Sequence, residues 1–233
     1  MAIVNFLGRQ LEADPLNAGE KSILDRDIFE ILATGSSFLK ETLEVNRNNI
    51  YAAAGVAKRS QQKAFGGILA PDSEVGVSLL RPGHILRDTT TAETPINTWD
   101  SNSIESGAFV AGNDYYIGSG STNSTAAIIS QYLTLMLMGV VFTQGNAPIV
   151  QELYISVGET TYPVIVLRQS WMADNPNRIR ATRFPPILIE PRQTISAQVR
   201  AEYTGRQELV LLGLAFGTGR YLRKQSYAAA DLP

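Results

Sequence analysis

Residues 183–216, RFPPILIEPRQTISAQVRAEYTGRQELVLLGLAF, decide the fold of this 233-residue chain. They predict three successive strands, because their apolar runs are separated by turn residues at 191–193 and 204–206. The last strand is apolar on both faces, which predicts that it is covered on both sides. The middle strand alternates between two faces, the first formed by Ile195, Ala197, Val199, Ala201 and Tyr203 and the second by Ser196, Gln198, Arg200 and Glu202.

The whole chain is predicted to be mainly β, an antiparallel two-sheet sandwich with a helical N-terminal arm. In the arm, one helix is expected between Asn17 and Gly35 and a second from Ser36 or Ser37 onwards. The spacing of the strands favours a jelly roll, and an immunoglobulin-like topology is the alternative. The predicted segments are the arm at 1–66, an irregular linker at 67–95, the sandwich domain at 96–222 and a C-terminal tail at 223–233.

Charged residues are few and unevenly distributed. They form 18% of the chain, below the roughly 25% of ordinary globular proteins, and the formal net charge is -2. Residues 168–224 hold ten basic and four acidic side chains, a balance of +6, whereas the rest of the chain has a balance of -8. Fifteen of the twenty basic residues are Arg, which suits fixed contacts with carboxylates. Two readings of the basic segment are open: its arginines lie on solvated strand faces and turns, or they meet an acidic partner, either a sister subunit or, non-specifically, nucleic acid.

Several classes of protein do not fit the sequence. The chain has no Cys, which excludes disulfides and thiol catalysis. Its first residues lack the basic and apolar regions of a signal peptide, so we expect synthesis in the cytoplasm without export. The apolar run at 126–142 is interrupted by polar residues and is rich in β-branched ones, which favours buried strands over a membrane span.

Catalytic signatures are also missing from the sequence. His84 is the single histidine, and its Pro-Gly context predicts a turn residue with a satisfied hydrogen bond rather than a catalytic base. We therefore expect no enzyme activity, no cofactor and no metal site. A carboxylate-based glycosidase on the same scaffold is the least favoured alternative.

The combination resembles the jelly-roll capsid and virion structural proteins of bacteriophages. The resemblance rests on the helical arm, the Cys-free sandwich, the low charge and the Asn/Ser/Thr/Gly-rich loop at 101–125. It implies a virion component (capsid, cement, neck or tail) that forms a homo-oligomer and contacts other virion proteins. Apolar strand faces and arginines would make the contacts, the candidates being Arg178, Arg180, Arg183, Leu209, Leu211, Arg220 and Arg223. On this hypothesis a chain without residues 1–66 folds but does not assemble.

A carbohydrate-binding or receptor-binding sandwich is the alternative function. Exposed aromatic rings stack on sugars, so such a module needs several of them on one surface. The candidate stacking residues are Trp99, Tyr115, Tyr116 and Trp171.

Overall fold

The computed structural model of the chain describes residues 2–64, 75–88, 93–95, 109–117, 127–142, 149–167, 180–205, 209–218 and 222. The helices are α1 (Ala18–Thr34), α2 (Ser37–Val45) and α3 (Arg47–Ala64). The strands are β1 (Ala2–Phe6), β2 (Arg9–Ala13), β3 (Val75–Leu79), β4 (Ile85–Asp88), β5 (Glu93–Pro95), β6 (Asp114–Ile117), β7 (Ala127–Ile129), β8 (Thr134–Phe142), β9 (Val150–Val157), β10 (Thr160–Thr161), β11 (Ile165–Val166), β12 (Arg180–Ile189), β13 (Thr194–Ala201) and β14 (Leu209–Thr218).

Two antiparallel sheets form a sandwich. The four-stranded sheet has the order β12-β8-β14-β3. The eight-stranded sheet follows the path β10-β9-β13-β7-β4-β5, with β11 beside β9 and β6 beside β13. The predicted mainly-β, two-sheet sandwich is confirmed, while the finer jelly-roll topology stays a prediction.

The three strands of the deciding stretch are present, and they alternate between the sheets. The first and third, β12 and β14, lie on either side of β8, whereas β13 belongs to the eight-stranded sheet. Arg192, at φ 65°, makes the turn between β12 and β13. In β13 the alternation follows the prediction, because residues 195, 197, 199 and 201 are buried and the residues between them are partly or fully exposed. Tyr203 lies beyond the strand and is exposed.

The interior has two apolar layers, one on each side of the four-stranded sheet. The first lies between the sheets and takes alternate residues of β8 such as Leu135 and Leu137. The second takes the intervening Met136 and Met138 and packs them under the helices. The prediction that the last strand is covered on both sides is confirmed for most of β14, which sends Leu211 into the first layer and Phe216 into the second, but its outer face is exposed at Val210.

The N-terminal segment differs from the predicted helical arm in its first residues. Residues 2–13 form a hairpin of β1 and β2, with Val4 opposite Leu11 and Gly8 at a positive φ in the turn. The hairpin buries alternate residues, Phe6, Leu11 and Ala13, in the layer under the helices. Burial of every second residue is the pattern of a β-strand, whereas a helix buries residues three or four positions apart. The segment is therefore extended. The 1–66 prediction is wrong for these residues.

The helices themselves follow their predicted boundaries. Asn17 caps α1 in a reciprocal capping box with Glu20, and Gly35 ends the helix. Ser36 accepts a hydrogen bond from the Leu39 N–H and begins α2, and the second helical segment breaks at Asn46 before α3. All three helices contribute to the apolar layer over the four-stranded sheet, so they form a cover for this sheet.

Candidate interaction surfaces

The residues predicted to make assembly contacts do not form one surface. Leu209 and Leu211 are each 2% exposed and point into the layer between the sheets, so they are not available to a second molecule in this fold. Side chains of β14 alternate between the two faces of the sheet up to the bulge between Leu212 and Gly213. In this part of the strand the odd-numbered residues point into the sandwich and the even-numbered residues point away from it. Three of the predicted arginines lie outside the described residues: Arg178, Arg220 and Arg223.

Arg183 makes contacts within the chain. Its Nη2 donates to Glu41 Oε2 at 2.5 Å, and its guanidinium carbon lies 4.6 Å from the centroid of the Phe38 ring. The hydrogen bond from Arg183 lowers the pKa of the Glu41 carboxyl below its ordinary value. Arg183 thus joins β12 to α2, and the other predicted arginine of this strand, Arg180, is placed by the backbone register opposite Phe142.

An apolar row remains on the outer face of the four-stranded sheet, beyond the helical cover. The register places Ala181 of β12 beside Val141 of β8, and Val141 beside Val210 of β14. Val210 is 40% exposed, and the other two side chains are partly exposed. None of the three belongs to the buried layer under the helices. We call Ala181, Val141 and Val210 the valine row.

Part of the outer face of the eight-stranded sheet, around β6, β13 and β9, is polar, although Val166 of β11 borders it beside Glu152 and is 41% exposed. One row of the register runs from Asp114 of β6 through Arg200 of β13 to Glu152 of β9. In the next row, Gln198 lies between Tyr154 and position 116. The Tyr154 hydroxyl donates a short hydrogen bond to Glu152 Oε2, and this bond raises the pKa of the Tyr154 hydroxyl.

A cleft of about 330 Å³ opens on this polar face. Acidic, basic and amide side chains line it together with the backbone of a turn. The lining residues are Gly112, Gln151, Glu152, Arg200, Ala201 and Glu202. We call this cavity the polar cleft.

The predicted stacking residues do not gather at this cleft. Tyr115 is 2% exposed, its ring meets that of Phe109 edge-on at 4.8 Å, and its hydroxyl accepts a hydrogen bond from the Val110 N–H at 2.7 Å. Tyr115 is therefore part of the core and cannot stack on a ligand. The backbone of Tyr116 pairs with Gln198, while Trp99 and Trp171 lie outside the described residues.

Glu152 and Tyr154 are not among the site residues predicted from the sequence. The signal was present in β9, VQELYISV, where Leu153, Ile155 and Val157 are buried and the residues between them are partly exposed. The alternation alone places Glu152 and Tyr154 on the outer face. What the sequence could not provide is the partner strand, which brings Arg200 beside them.

His84 has the predicted place in a turn. It ends the short 3-10 turn Pro82–His84, is fully buried, and its Nδ1 accepts a hydrogen bond from the Arg81 N–H at 3.1 Å. Burial lowers the pKa of its imidazole to about 4, an effect partly offset by the backbone of Leu222 and reinforced by the charge of Arg81. The imidazole has no access to solvent and therefore none to a substrate.

In the described part of the chain, no group of three or more His, Asp or Glu side chains converges to hold a metal ion. No described helix is both long enough and apolar enough to span a membrane.

Comparison with known proteins gives no family assignment. Neither a protein-family model nor a curated protein matches the sequence.

Proposed function

We propose that this chain is a structural protein of a virus particle that assembles with copies of itself. The valine row supports the proposal, because it places partly exposed apolar side chains at one end of a sheet whose remaining outer face is covered by helices. Apolar strand residues form the desolvated centre of many subunit interfaces, with charged groups at the rim, and the Arg183–Glu41 pair lies in the row next to this one. The virion setting rests on the resemblance of the sandwich and its low charge to capsid-type proteins.

A second copy of the chain is the partner that fits the row best. Uncharged side chains of one kind are complementary to themselves, so two rows can meet across a two-fold axis. Three residues make only the centre of an interface, and the surrounding contacts would come from the basic and acidic surfaces of neighbouring copies. Other virion proteins and packaged nucleic acid are further partners on the same proposal.

The mass of the chain in solution tests the proposal. A protomer has a mass of 25.4 kDa, and the wild type is expected to elute as a multiple of this mass in light-scattering chromatography. In Val210→Glu a charge must be desolvated at the centre of the contact, and self-association should weaken by at least about tenfold, or about 1.4 kcal/mol. The matched control is Val164→Glu, because Val164 is similarly exposed, at 45%, but lies beside the eight-stranded sheet.

Two results would contradict the proposal. One is a wild type that stays at the mass of a single chain at all concentrations up to the solubility limit. The other is a Val210→Glu variant that assembles as well as the Val164→Glu control. Unchanged thermal melting of both variants establishes that a loss of assembly does not come from unfolding.

A further inference from the structure

The polar cleft is assembled from two strands and two turns that the fold holds in place. Glu152 and Arg200 face each other in the register of β9 and β13. The turn containing Gly112, which has φ 85°, closes one end through a hydrogen bond from the Gly112 N–H to the Ala201 carbonyl at 2.8 Å. The Glu202 N–H donates to the Ile149 carbonyl at 2.8 Å and fixes the other lining turn. The backbone of the lining strands and turns is thus fixed before any ligand arrives, which limits the backbone entropy lost on binding.

Arg200 is the group that points to a ligand. Its side chain is exposed at the cleft, and among the described residues no carboxylate oxygen lies within 4.0 Å of its guanidinium nitrogens. Glu152 instead accepts the hydrogen bond from the Tyr154 hydroxyl. With respect to the carboxylates of the described residues, the guanidinium has donors for a molecule from solution, and Glu152 and Glu202 offer acceptor positions beside it.

The charge of the cleft limits the class of ligand. Asp114, Glu152 and Glu202 surround the single charge of Arg200, so the local balance is -2. Phosphate, sulfate and acidic sugars would be repelled by this balance. A metal ion is not favoured either, because the carboxylates do not converge on one point within the described residues.

We propose that the polar cleft binds a neutral polyhydroxylated ligand, a sugar unit of a glycan. Sugar hydroxyls both donate and accept, and they match a site that offers guanidinium donors next to carboxylate acceptors. The half-buried Tyr154 lies beside the cleft on the same face and offers its ring to the apolar side of the sugar. The volume of about 330 Å³ is at the lower end of small-ligand sites, and it suits one sugar unit.

Saturation-transfer difference NMR on the wild-type chain tests this inference, since it detects weak ligands of both small and assembled proteins. The probes are millimolar glucose, galactose, mannose, fucose and N-acetylglucosamine, with glucuronic acid as the anionic comparison. At least one neutral sugar is expected to receive saturation, with glucuronic acid bound at least about tenfold more weakly because of the negative cleft. Arg200→Ala and Tyr154→Ala should each reduce the affinity by about tenfold or more.

Ser196→Ala and Lys21→Ala are the matched controls. Ser196 lies on the same face of β13 in a different row, and Lys21 is an exposed charge on α1. Both variants should bind the sugar as the wild type does. The inference fails if none of the neutral sugars receives saturation, if glucuronic acid binds better than they do, or if Arg200→Ala binds unchanged. Because assembly is measured separately by mass, these outcomes leave the proposed structural function untouched.

Discussion

The buried imidazole of His84 makes the free energy of unfolding depend on pH. Burial lowers the pKa of its imidazole from an ordinary value of about 6.5 to about 4. Between these two pH values the unfolded chain binds a proton that the folded chain does not bind. The free energy of unfolding must therefore fall as the pH is lowered through 6.5 towards 4.

Urea titrations between pH 7.5 and 4 measure this loss. The difference of about 2.5 pKa units corresponds to a decrease of roughly 3 kcal/mol in the free energy of unfolding. His84 is the only histidine, so the slope between pH 6.5 and 5 belongs to it, before carboxylates titrate. In His84→Gln, which keeps an acceptor for the Arg81 N–H, this part of the slope should disappear. A wild type whose stability is flat from pH 7 to 5 would show that the imidazole is accessible to protons in the folded state.

Gly55 is required by the close approach of α3 to the end of β2. Its carbonyl accepts a hydrogen bond from the Asp14 N–H at 3.1 Å, and a Cβ at position 55 would lie 2.5 Å from the Asp14 carbonyl oxygen. Gly55→Ala would raise the helix propensity but force the hairpin away, for a net loss of about 1–3 kcal/mol. The control is Gly19→Ala in α1, where the nearest atom to the new Cβ is the Asn17 Oδ1 at 3.3 Å. Equal stability of the two variants in urea titrations would refute this account.

The cover formed by α1, α2 and α3 buries an apolar face of the four-stranded sheet. It lies over Met136, Met138, Leu188, Leu214 and Phe216, none of which is more than 1% exposed. A chain without residues 1–64 would present these side chains to water as one apolar face. The prediction that the sandwich folds independently of this segment is therefore replaced by the opposite one.

Expression of residues 65–233 should give an insoluble or aggregated product. Loss of the cover removes a complete apolar layer, and exposed apolar sheets associate without specificity. Solubility and dye binding to exposed apolar surface are the measurements. The control is residues 15–233, which lacks the hairpin but keeps the helices; this chain should stay soluble and be destabilised only in part. A soluble and cooperatively melting 65–233 chain would show that the sandwich stands alone.

The helix ends and the faces of β13 could be predicted from the sequence, because short local patterns determine them. Asn17, Gly35 and Ser36 mark helix ends because capping chemistry is local, and β13 alternates because one face is buried. The hairpin at 2–13 was not predicted, because the outward-facing Ile3, 68% exposed, interrupts the alternation of apolar and polar residues in β1. The inward direction of Leu209 and Leu211 was not predictable, since an apolar strand covered on both sides gives no indication of which layer each residue joins.

At the scale of the whole molecule, the two candidate surfaces lie on opposite sides of the sandwich. The valine row is on the outer face of the four-stranded sheet, and the polar cleft is on the outer face of the eight-stranded sheet. The layer of buried residues between the sheets separates them, and packed sheets are about 10 Å apart. Assembly through the row would therefore leave the cleft open towards solvent on every copy.

This arrangement predicts that assembly and sugar binding are separable. Sites more than about 7–10 Å apart with no shared contacts usually contribute independently. Val210→Glu should lose assembly and keep its sugar affinity per chain, whereas Arg200→Ala should lose the sugar and keep the mass of the assembly.

An assembly would carry many open clefts, and its retention on a sugar-coated surface should therefore exceed that of the unassembled Val210→Glu chain through multivalency alone. Surface plasmon resonance on an immobilised sugar compares the two. Retention of the wild type below that of Val210→Glu would show that assembly closes the clefts and would contradict the placement of the two surfaces on opposite faces of the sandwich.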